Sequence, residues 1–312
     1  ITILFLRHRQ KFRRDRLNLR PDLIYVSRPA FGNTGPWKGY LGYGIGQEQL
    51  SGMAHMTGYR GEGPMKSGIN HGDPITGSHA AGVLMAALRH RRKTGNGMFI
   101  DVSQQESSVA LMGPEVLAYQ MTGQEPERLG NRSRWYAPSN SYPCAGEDRW
   151  VTIAATNEEQ WRSLAKAMGV PGLAEDPRFS TADKRQQNHD DLDEVITEWT
   201  TNQEASMITQ QLQDARVPSG PVLRGPDLLE NSHYKDRHTF VTVDHSQVGP
   251  RQYPGIPWQM SKTPGRVRWP SPTLGQHNQD VYGELLGLTS PDIYQLEQNG
   301  IIGTKPTGSR II

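Results

Sequence analysis

A long helical segment with clear start and stop signals constrains the fold of this chain more than any other feature. Asp73 suits a helix N-cap, Pro74 suits the first helical position, and small and apolar residues follow as far as His90. Cations cluster over residues 89–93, where they favour a helix C-terminus, and Gly95-Asn96-Gly97 then stops the helix. The pattern therefore predicts a helix over residues 74–90 with Asp73 as its N-cap.

Strand-like runs flank this helix and establish the class of fold. Residues 22–27 (DLIYVS) and 98–102 (MFIDV) are short, β-branched and aromatic runs typical of buried strands. Residues 45–56 and 104–119 have helical spacing of apolar side chains, and the glycine- and proline-rich stretch 31–37 predicts a loop. Because strands and helices alternate, the sequence predicts an α/β fold.

Changes of composition divide the chain into segments. We predict a large-domain part over 1–122, a linker over 123–147, a small domain over 148–219, a proline-rich linker over 220–275, and a final part over 276–312. The small domain is predicted from a strand at 150–155 and a helix that ends at Met168. Two short helices are predicted at residues 280–288 and 292–298.

Composition and charge exclude several classes of protein. No stretch of the 312 residues approaches the roughly 18 to 20 consecutive apolar residues of a membrane span. Cys144 is the single cysteine, so it forms no internal disulfide, and no secretory signal pattern opens the chain. These features predict a cytoplasmic protein. Seven basic and one acidic side chains lie in the first twenty residues, but this arm leads directly into a strand-like run, and we predict no nucleic-acid partner.

The candidate chemistry centres on one carboxylate. The sequence contains no phosphate-binding loop, zinc-binding spacing or nucleophile elbow, the histidines are scattered, and we predict no metal site. Asp73 lies at the start of the long helix between Gly72 and Gly77, which would let a large ligand approach the backbone. Two interpretations remain open at this point: an ordinary N-cap, or a nucleophile kept charged by the helix dipole.

An ordered set of motifs adds a resemblance to these observations. The chain resembles the family III CoA-transferases of the formyl-CoA and carnitine CoA-transferase type in the segments LIYVS at 23–27, FGNTGP at 31–36, SGM at 51–53, GD at 72–73, LRHRRKTGNG at 88–97, IDVS at 100–103, DPRF at 176–179, VPSGPV at 217–222 and LGQHN at 274–278. These segments follow one another in the family order and cover nearly everything after residue 20.

The resemblance implies a reaction and its residues. In the family, the aspartate at the position of Asp73 attacks an acyl-CoA thioester and becomes an aspartyl-CoA thioester, which a free carboxylic acid then opens. The glycine-rich zone with Gly42, Tyr43 and Gly44, together with His71 and Gly72, is expected to contact the substrate or CoA. CoA is then a substrate, and no metal or redox cofactor is implied.

The resemblance also implies an architecture and an assembly. The large domain is expected to be Rossmann-like and built from the first and last segments, with a smaller α+β domain inserted between them and long linkers on either side. Members of the family form interlocked homodimers in which such linkers wrap the partner chain. The strand, turn and helix that open the family and hold most of the nucleotide are expected to be missing here.

Departures from the family pattern keep alternatives open. The related α-methylacyl-CoA racemases carry a histidine base in a Gly-His-Asp stretch whose equivalent here is residues 42–44, so transfer is favoured over isomerisation. Transferases usually carry an aspartate where Gly44 stands. The glycine run of oxalate-using enzymes is replaced by residues 154–158 (AATNE), which disfavours an oxalate acceptor. An isomerase and a truncated, non-catalytic homologue are the alternatives.

Overall fold

The computed structural model describes residues 19–306, which form two compact units with their boundary between Val222 and Leu223. The predicted basic arm lies outside the described residues except for its end. There, Arg20 forms an exposed ion pair with Asp22 at 3.1 Å. Each unit is described by itself below.

The first part of the first unit confirms mixed α/β structure. Two strands pair in parallel, with Ile24 opposite Met98 and Ser27 opposite Asp101. Parallel strands need a crossover connection, and the long helix supplies it. The elements in chain order are β1 (Ile24–Ser27), α1 (Gly44–Leu50), α2 (Met53–Met56), α3 (Gly72–Thr94), β2 (Met98–Asp101), α4 (Gln104–Val109) and α5 (Gly113–Thr122).

The long helix α3 is confirmed, but the predicted N-cap is wrong. The N-cap residue is His71, its side chain makes no capping hydrogen bond, and Asp73 lies within the first turn. His71 has helical backbone angles, with φ −63° and ψ −31°, so Asp73 follows the N-cap position by two residues. At the other end, Gly95 adopts a φ of 75°, the left-handed conformation that commonly terminates helices.

The second part of the first unit is a small antiparallel sheet with helices. Its strands have the order β3-β4-β5, with Tyr142 opposite Val151 and Ile153 opposite Ser219. The edge strand β3 therefore lies within the predicted linker 123–147. Its residues are mostly polar, and Tyr142 is the one that is fully buried. The elements are β3 (Ser139–Pro143), β4 (Trp150–Ala154), α6 (Glu158–Ala167), α7 (Ala182–Gln187), α8 (His189–Thr200), α9 (Ala205–Asp214) and β5 (Ser219–Pro221).

The best-packed hydrophobic core of the described residues belongs to this small sheet and its helices. Its fully buried large side chains include Trp161 on α6, Phe179, Leu192 on α8 and Leu212 on α9. In contrast, the buried positions around α1, α3 and α4 are mostly small or polar, and α3 and α5 expose apolar side chains. The small sheet and its helices therefore bury mainly apolar side chains, whereas the part around α3 buries mainly small and polar ones.

A buried polar cluster ties the segment before β3 to this core. The carboxylate of Asp193 on α8 accepts hydrogen bonds from Arg132 at 2.6 and 2.9 Å, from Asn140 at 2.8 Å and from the Tyr142 hydroxyl at 2.7 Å. Burial and the neighbouring Asp193 charge raise the pKa of Tyr142 well above its ordinary value. The tyrosine therefore remains a neutral donor to Asp193.

The second unit contains short helices and a β-hairpin, and it begins within the segment predicted as a proline-rich linker over 220–275. Phe240 pairs with Pro254 and His245 with Gly249, so the hairpin turns tightly at residues 246–248. The elements are α10 (Gly225–Glu230), α11 (Ser232–Asp236), β6 (Phe240–His245), β7 (Gly249–Pro254), a π-helical segment (Gln279–Leu285) and α12 (Ser290–Gln298).

The location of the final segment in the architecture stays a prediction. Residues 276–306 belong to the second compact unit, and their predicted return to the large domain is an expectation from the resemblance. Across residues 19–306, the helices are too short or too polar to cross a membrane. The cytoplasmic location predicted from the sequence likewise stays a prediction.

Candidate active site

Asp73 is an exposed carboxylate with one oxygen fixed in place. The side-chain amide of Gln104 donates a hydrogen bond of 2.6 Å from Nε2 to Asp73 Oδ1. Gln104 is itself only 9% exposed, so its amide is held rather than free to rotate into solvent. Among the described residues, Oδ1 thus accepts a hydrogen bond and Oδ2 accepts none.

The parallel pair explains why Gln104 reaches Asp73. Because the carboxyl ends of parallel strands meet at one edge of a sheet, the loops that follow β1 and β2 emerge together. The N–H groups of Gln104 and Gln105 donate to the carbonyl oxygens of Pro29 and Ala30 at 3.2 and 2.9 Å. Ser103 caps α4 by accepting from the Glu106 N–H. The start of α4 is thereby fixed beside the start of α3.

Asn33 fastens the loop after β1 to the same edge. Its backbone N–H donates to Asp101 Oδ2 at 2.8 Å, and its side-chain amide donates to the Ser27 hydroxyl at 2.9 Å. Ser27 and Asp101 are the paired last residues of β1 and β2. One asparagine therefore links both strand ends to the loop that leads toward residues 42–44.

Gly44 faces Oδ2 of the candidate nucleophile. A Cβ atom at position 44 would lie 2.5 Å from Asp73 Oδ2 and 2.9 Å from Asn70 Cβ, closer than such atoms approach in proteins. At Gly42 a Cβ atom would overlap Ala30 and lie 2.6 Å from Gln47 Nε2. The sequence difference at Gly44 is thus explained sterically, since a side chain there collides with Asp73 as it is placed.

Glu48 takes the capping role that the sequence assigned to Asp73. Its Oε1 accepts a hydrogen bond of 2.7 Å from the His71 N–H, and its Oε2 accepts from the Ser67 hydroxyl at 2.9 Å. Glu48 is 2% exposed. Burial acts to raise the pKa of Glu48, but the hydrogen bonds from His71 and Ser67 together hold it below its ordinary value. A buried anion therefore sits at the N-terminus of α3, where the helix dipole favours it.

Gln47 is buried beside the same loop without a hydrogen-bonding partner. Its side chain is fully buried, and neither Nε2 nor Oε1 has a partner among the described residues. A Cβ atom added to Gly72 would lie 3.0 Å from Gln47 Cβ, so Gly72 allows α3 and α1 to pack closely. Close packing is the role that the structure gives to Gly72.

The remaining candidate contact residues lie on the loop before α1 and at the α3 N-terminus. Phe31, Trp37 and Tyr40 pack together, with the Trp37 and Tyr40 rings stacked at 6.0 Å, and Tyr43 is 79% exposed. His71 uses its backbone N–H in the contact with Glu48. The basic cluster at 89–93 lies at the opposite end of α3, about 27 Å along the helix from Asp73.

Metal binding and cysteine chemistry were the other kinds of site to consider in the described residues. Within residues 19–306, no three histidine, cysteine, aspartate or glutamate side chains are grouped so as to hold a metal ion. Cys144 is buried in the small-domain core, and burial raises the pKa of its thiol. A raised pKa leaves less of the reactive thiolate at neutral pH.

The structure brings Asp73 and Gly44 together, and it adds Gln104, Glu48 and Asn33, which the sequence did not identify. The location of Gln104 carried a signal, since it directly follows a predicted strand and a serine suited to an N-cap. Glu48 was one polar residue within a helical pattern, and only the packing of α1 against α3 reveals its role.

The comparison with known protein families decides the family. The sequence pattern of CoA-transferase family III matches residues 9–278 of this chain. The chain therefore belongs to CoA-transferase family III. Since the match includes both the site and the small domain, the chain is that of an enzyme and the resemblance seen in its motifs is confirmed.

Two of the relatives that match this chain come from Chloroflexus aurantiacus. A succinyl-CoA–D-citramalate CoA-transferase is 35% identical over 284 residues, which cover 91% of this chain and 70% of the relative. The α subunit of a succinyl-CoA–L-malate CoA-transferase is 29% identical over 283 residues, covering 90% and 66%. The chain thus spans about two thirds of the length of these relatives.

A solved structure supports the fold. The crystal structure of a CaiB/BaiF family protein from Brucella suis matches with a TM-score of 0.76 at 27% identity, over 86% of this chain and 69% of that chain. The mixed α/β architecture of the described residues is therefore the architecture of the CaiB/BaiF family.

The buried Glu48 carboxylate predicts a pH dependence of stability. Because its pKa is below the ordinary value of about 4.3, its bonds contribute to the free energy of unfolding above that pH and are lost as the pH falls through the lower, folded-state pKa. We expect Glu48→Gln to lower the free energy of unfolding by about 1–3 kcal/mol at pH 7. Below about pH 4, the difference from the unmodified protein should shrink. Urea unfolding at a series of pH values measures both.

Glu62→Gln is the matched control, since Glu62 is an exposed carboxylate in the loop after α2. We expect this variant to unfold like the unmodified protein at every pH. A Glu48→Gln variant that is equally stable at pH 7 would contradict the capping role of Glu48.

Proposed function

We propose that this protein transfers CoA from an acyl-CoA to a free carboxylic acid through a covalent intermediate on Asp73. The observation that carries the proposal is the unequal environment of the two carboxylate oxygens. Gln104 donates a hydrogen bond to Oδ1, while Oδ2 lies against Gly44 and accepts no hydrogen bond from the described residues. A carboxylate held in this way presents one defined oxygen to an electrophilic carbonyl carbon.

The transfer proceeds by successive acyl exchanges. Asp73 Oδ2 attacks the donor thioester carbon, the carbon–sulfur bond breaks, and CoA leaves as a thiolate with an acyl-aspartyl anhydride remaining. The thiolate then attacks the aspartyl carbonyl carbon and expels the donor carboxylate, which gives the aspartyl-CoA thioester. The acceptor carboxylate repeats both steps in reverse order, so acyl-CoA product and free Asp73 result without net transfer of a proton.

The residues around Asp73 account for its position more than for its reactivity. Glu48 fixes the backbone at His71, and Gln104 fixes the side chain, so little conformational freedom remains to be lost when the thioester arrives. Gly42 and Gly44 let this loop pack closely against Ala30 and Asp73, so Oδ2 lies beside a backbone position that carries no side chain. The chemistry uses CoA as a substrate and calls on no metal or redox cofactor.

The relatives indicate which substrates to test first. Both named relatives from Chloroflexus aurantiacus use succinyl-CoA as donor and a hydroxylated dicarboxylic acid as acceptor. Residues 154–158 lack the glycine run associated with oxalate. We therefore propose succinyl-CoA as donor and a dicarboxylic acid of four or five carbons as acceptor.

We also propose that the protein acts as a homodimer. The support is the apolar surface of α3 and α5, where Met85, Leu117 and Met121 are exposed in the single chain. Exposed apolar surface of this kind marks protein interfaces. The proposed partner is a second copy of the chain, as the family resemblance implies.

Trapping with hydroxylamine tests the covalent mechanism. After mixing with succinyl-CoA and quenching with hydroxylamine, we expect a hydroxamate on the peptide that contains Asp73, because hydroxylamine opens both the anhydride and the thioester. Asp73→Asn should carry no such mark and should lose transfer by at least about 10³-fold, the order expected when a nucleophile is removed. Peptide mass spectrometry and a transfer assay provide the two measurements.

Glu106→Gln provides the control, since Glu106 is an exposed carboxylate in the first turn of α4. It should label and transfer normally. A hydroxamate on any other carboxylate, or an unmarked Asp73 peptide in an actively transferring protein, would refute the mechanism. Exchange of solvent deuterium at the substrate α-carbon without an acceptor acid would support an isomerase instead.

Removal of the Gln104 amide should slow labelling without preventing it. In Gln104→Leu, Asp73 Oδ1 loses its donor and the carboxylate gains freedom to rotate, so we expect labelling of Asp73 to slow by about 10- to 100-fold. Gln104→Asn, which keeps an amide at a shorter reach, should recover part of the rate. Single-turnover labelling measures the effect, and an unchanged rate in Gln104→Leu would exclude this role.

Light scattering after size-exclusion chromatography tests the dimer. We expect the molar mass of two chains, and we expect Leu117→Glu combined with Met121→Glu to shift the protein toward one chain, because both charges would enter the proposed interface. A single-chain mass for the unmodified protein at micromolar concentration would rule the dimer out.

A further inference from the structure

Arg28 places a positive charge close to the candidate nucleophile. It directly follows the last residue of β1, and its guanidinium lies against the first turns of α3, where Nη1 is 3.2 Å from the position of a Cβ atom on Gly77. Gly77 follows Asp73 by four residues on the same helix, so the two positions share a face about 5–6 Å apart. Arg28 Nη1 therefore lies within about 9 Å of the Asp73 Cβ atom.

The guanidinium of Arg28 is available to a ligand. Among residues 19–306, no carboxylate lies within ion-pair distance of Arg28, and its side chain makes no hydrogen bond, although Arg20, Arg132 and Arg178 all form ion pairs. The absence of a side chain at Gly77 leaves room for the guanidinium beside the helix. The charge is thus exposed and directed along the face of α3 that carries Asp73.

The backbone that carries Arg28 is fixed on both sides. Ser27 pairs with Asp101 at the end of the parallel strands, and the carbonyl oxygen of Pro29 accepts from the Gln104 N–H. Arg28 is therefore anchored to the element that positions Gln104 on Asp73. The backbone position from which the Arg28 side chain extends is therefore fixed relative to Gln104 and Asp73.

We propose that Arg28 binds the distal carboxylate of a dicarboxylic acyl group whose thioester or near carboxyl group reacts at Asp73. This inference rests on the proposed function and extends it to a residue that selects the substrate. A guanidinium binds a carboxylate through two parallel hydrogen bonds, which gives both affinity and direction. A four- or five-carbon dicarboxylic chain spans the gap between Asp73 Oδ2 and Arg28.

The alternative anionic groups on an acyl-CoA lie in the wrong place. The phosphates of CoA are separated from the thioester sulfur by the whole pantetheine arm. When the thioester carbon is in contact with Asp73, a group within about 9 Å on the opposite side of the carbonyl belongs to the acyl chain. The proposal therefore assigns Arg28 to the acyl group and not to the nucleotide.

The test compares succinyl-CoA with butyryl-CoA, which has the same chain length and a methyl group in place of the carboxylate. The rate of hydroxylamine-trapped labelling of Asp73 is measured for the unmodified protein, Arg28→Leu and Arg28→Lys. We expect Arg28→Leu to lower the second-order rate constant of Asp73 labelling by succinyl-CoA by about 10- to 100-fold and to leave the constant for butyryl-CoA within about threefold. Arg28→Lys should fall between, because it keeps the charge without the two-bond geometry.

Arg92→Leu is the matched control, since Arg92 is an exposed cation about 28 Å away along the same helix. It should leave both substrates unchanged, and the dissociation constant of free CoA should be the same in all variants. Equal losses with both acyl-CoAs, or weaker binding of free CoA in Arg28→Leu, would overturn the assignment to the acyl carboxylate. An Asp73 that no acyl-CoA labels would instead overturn the proposed function.

Discussion

The buried carboxylate of Glu48 is the constraint on which the arrangement of the site depends. The N-terminus of α3 has no side-chain cap of its own, so its first N–H groups need an acceptor from elsewhere. Glu48, on α1, accepts from the N–H of the N-cap residue His71 and thereby ties α1 to the start of α3. Asp73 does not cap the helix, so its carboxylate can accept the hydrogen bond from Gln104 instead.

A second set of contacts brings Gln104 to the Asp73 carboxylate. The ends of β1 and β2 emerge side by side, Asn33 joins them, and the start of α4 docks on the loop after β1. Gln104 reaches Asp73 as a consequence of this geometry. The site therefore depends on hydrogen bonds between segments far apart in the sequence, while the small domain depends on a conventional apolar core.

The sequence predicted those features that arise from local patterns. The helix α3 and the strands β1 and β2 follow from periodicity and from glycine and proline positions. The capping role of Glu48 and the contact from Gln104 could not be predicted, because both are tertiary contacts that leave no periodic trace. The edge strand β3 was missed for a related reason, since its polar residues SNSYP resemble a linker until Tyr142 is seen to be buried.

The absence of a side chain at Gly44 has a consequence for any change at this position. Because a Cβ atom there would lie 2.5 Å from Asp73 Oδ2 and 2.9 Å from Asn70 Cβ, the residue at position 44 and the placement of the Asp73 carboxylate are energetically coupled. A side chain can occupy position 44 only if Asp73 and Asn70 move. A substitution at position 44 therefore alters the Asp73 carboxylate without replacing it.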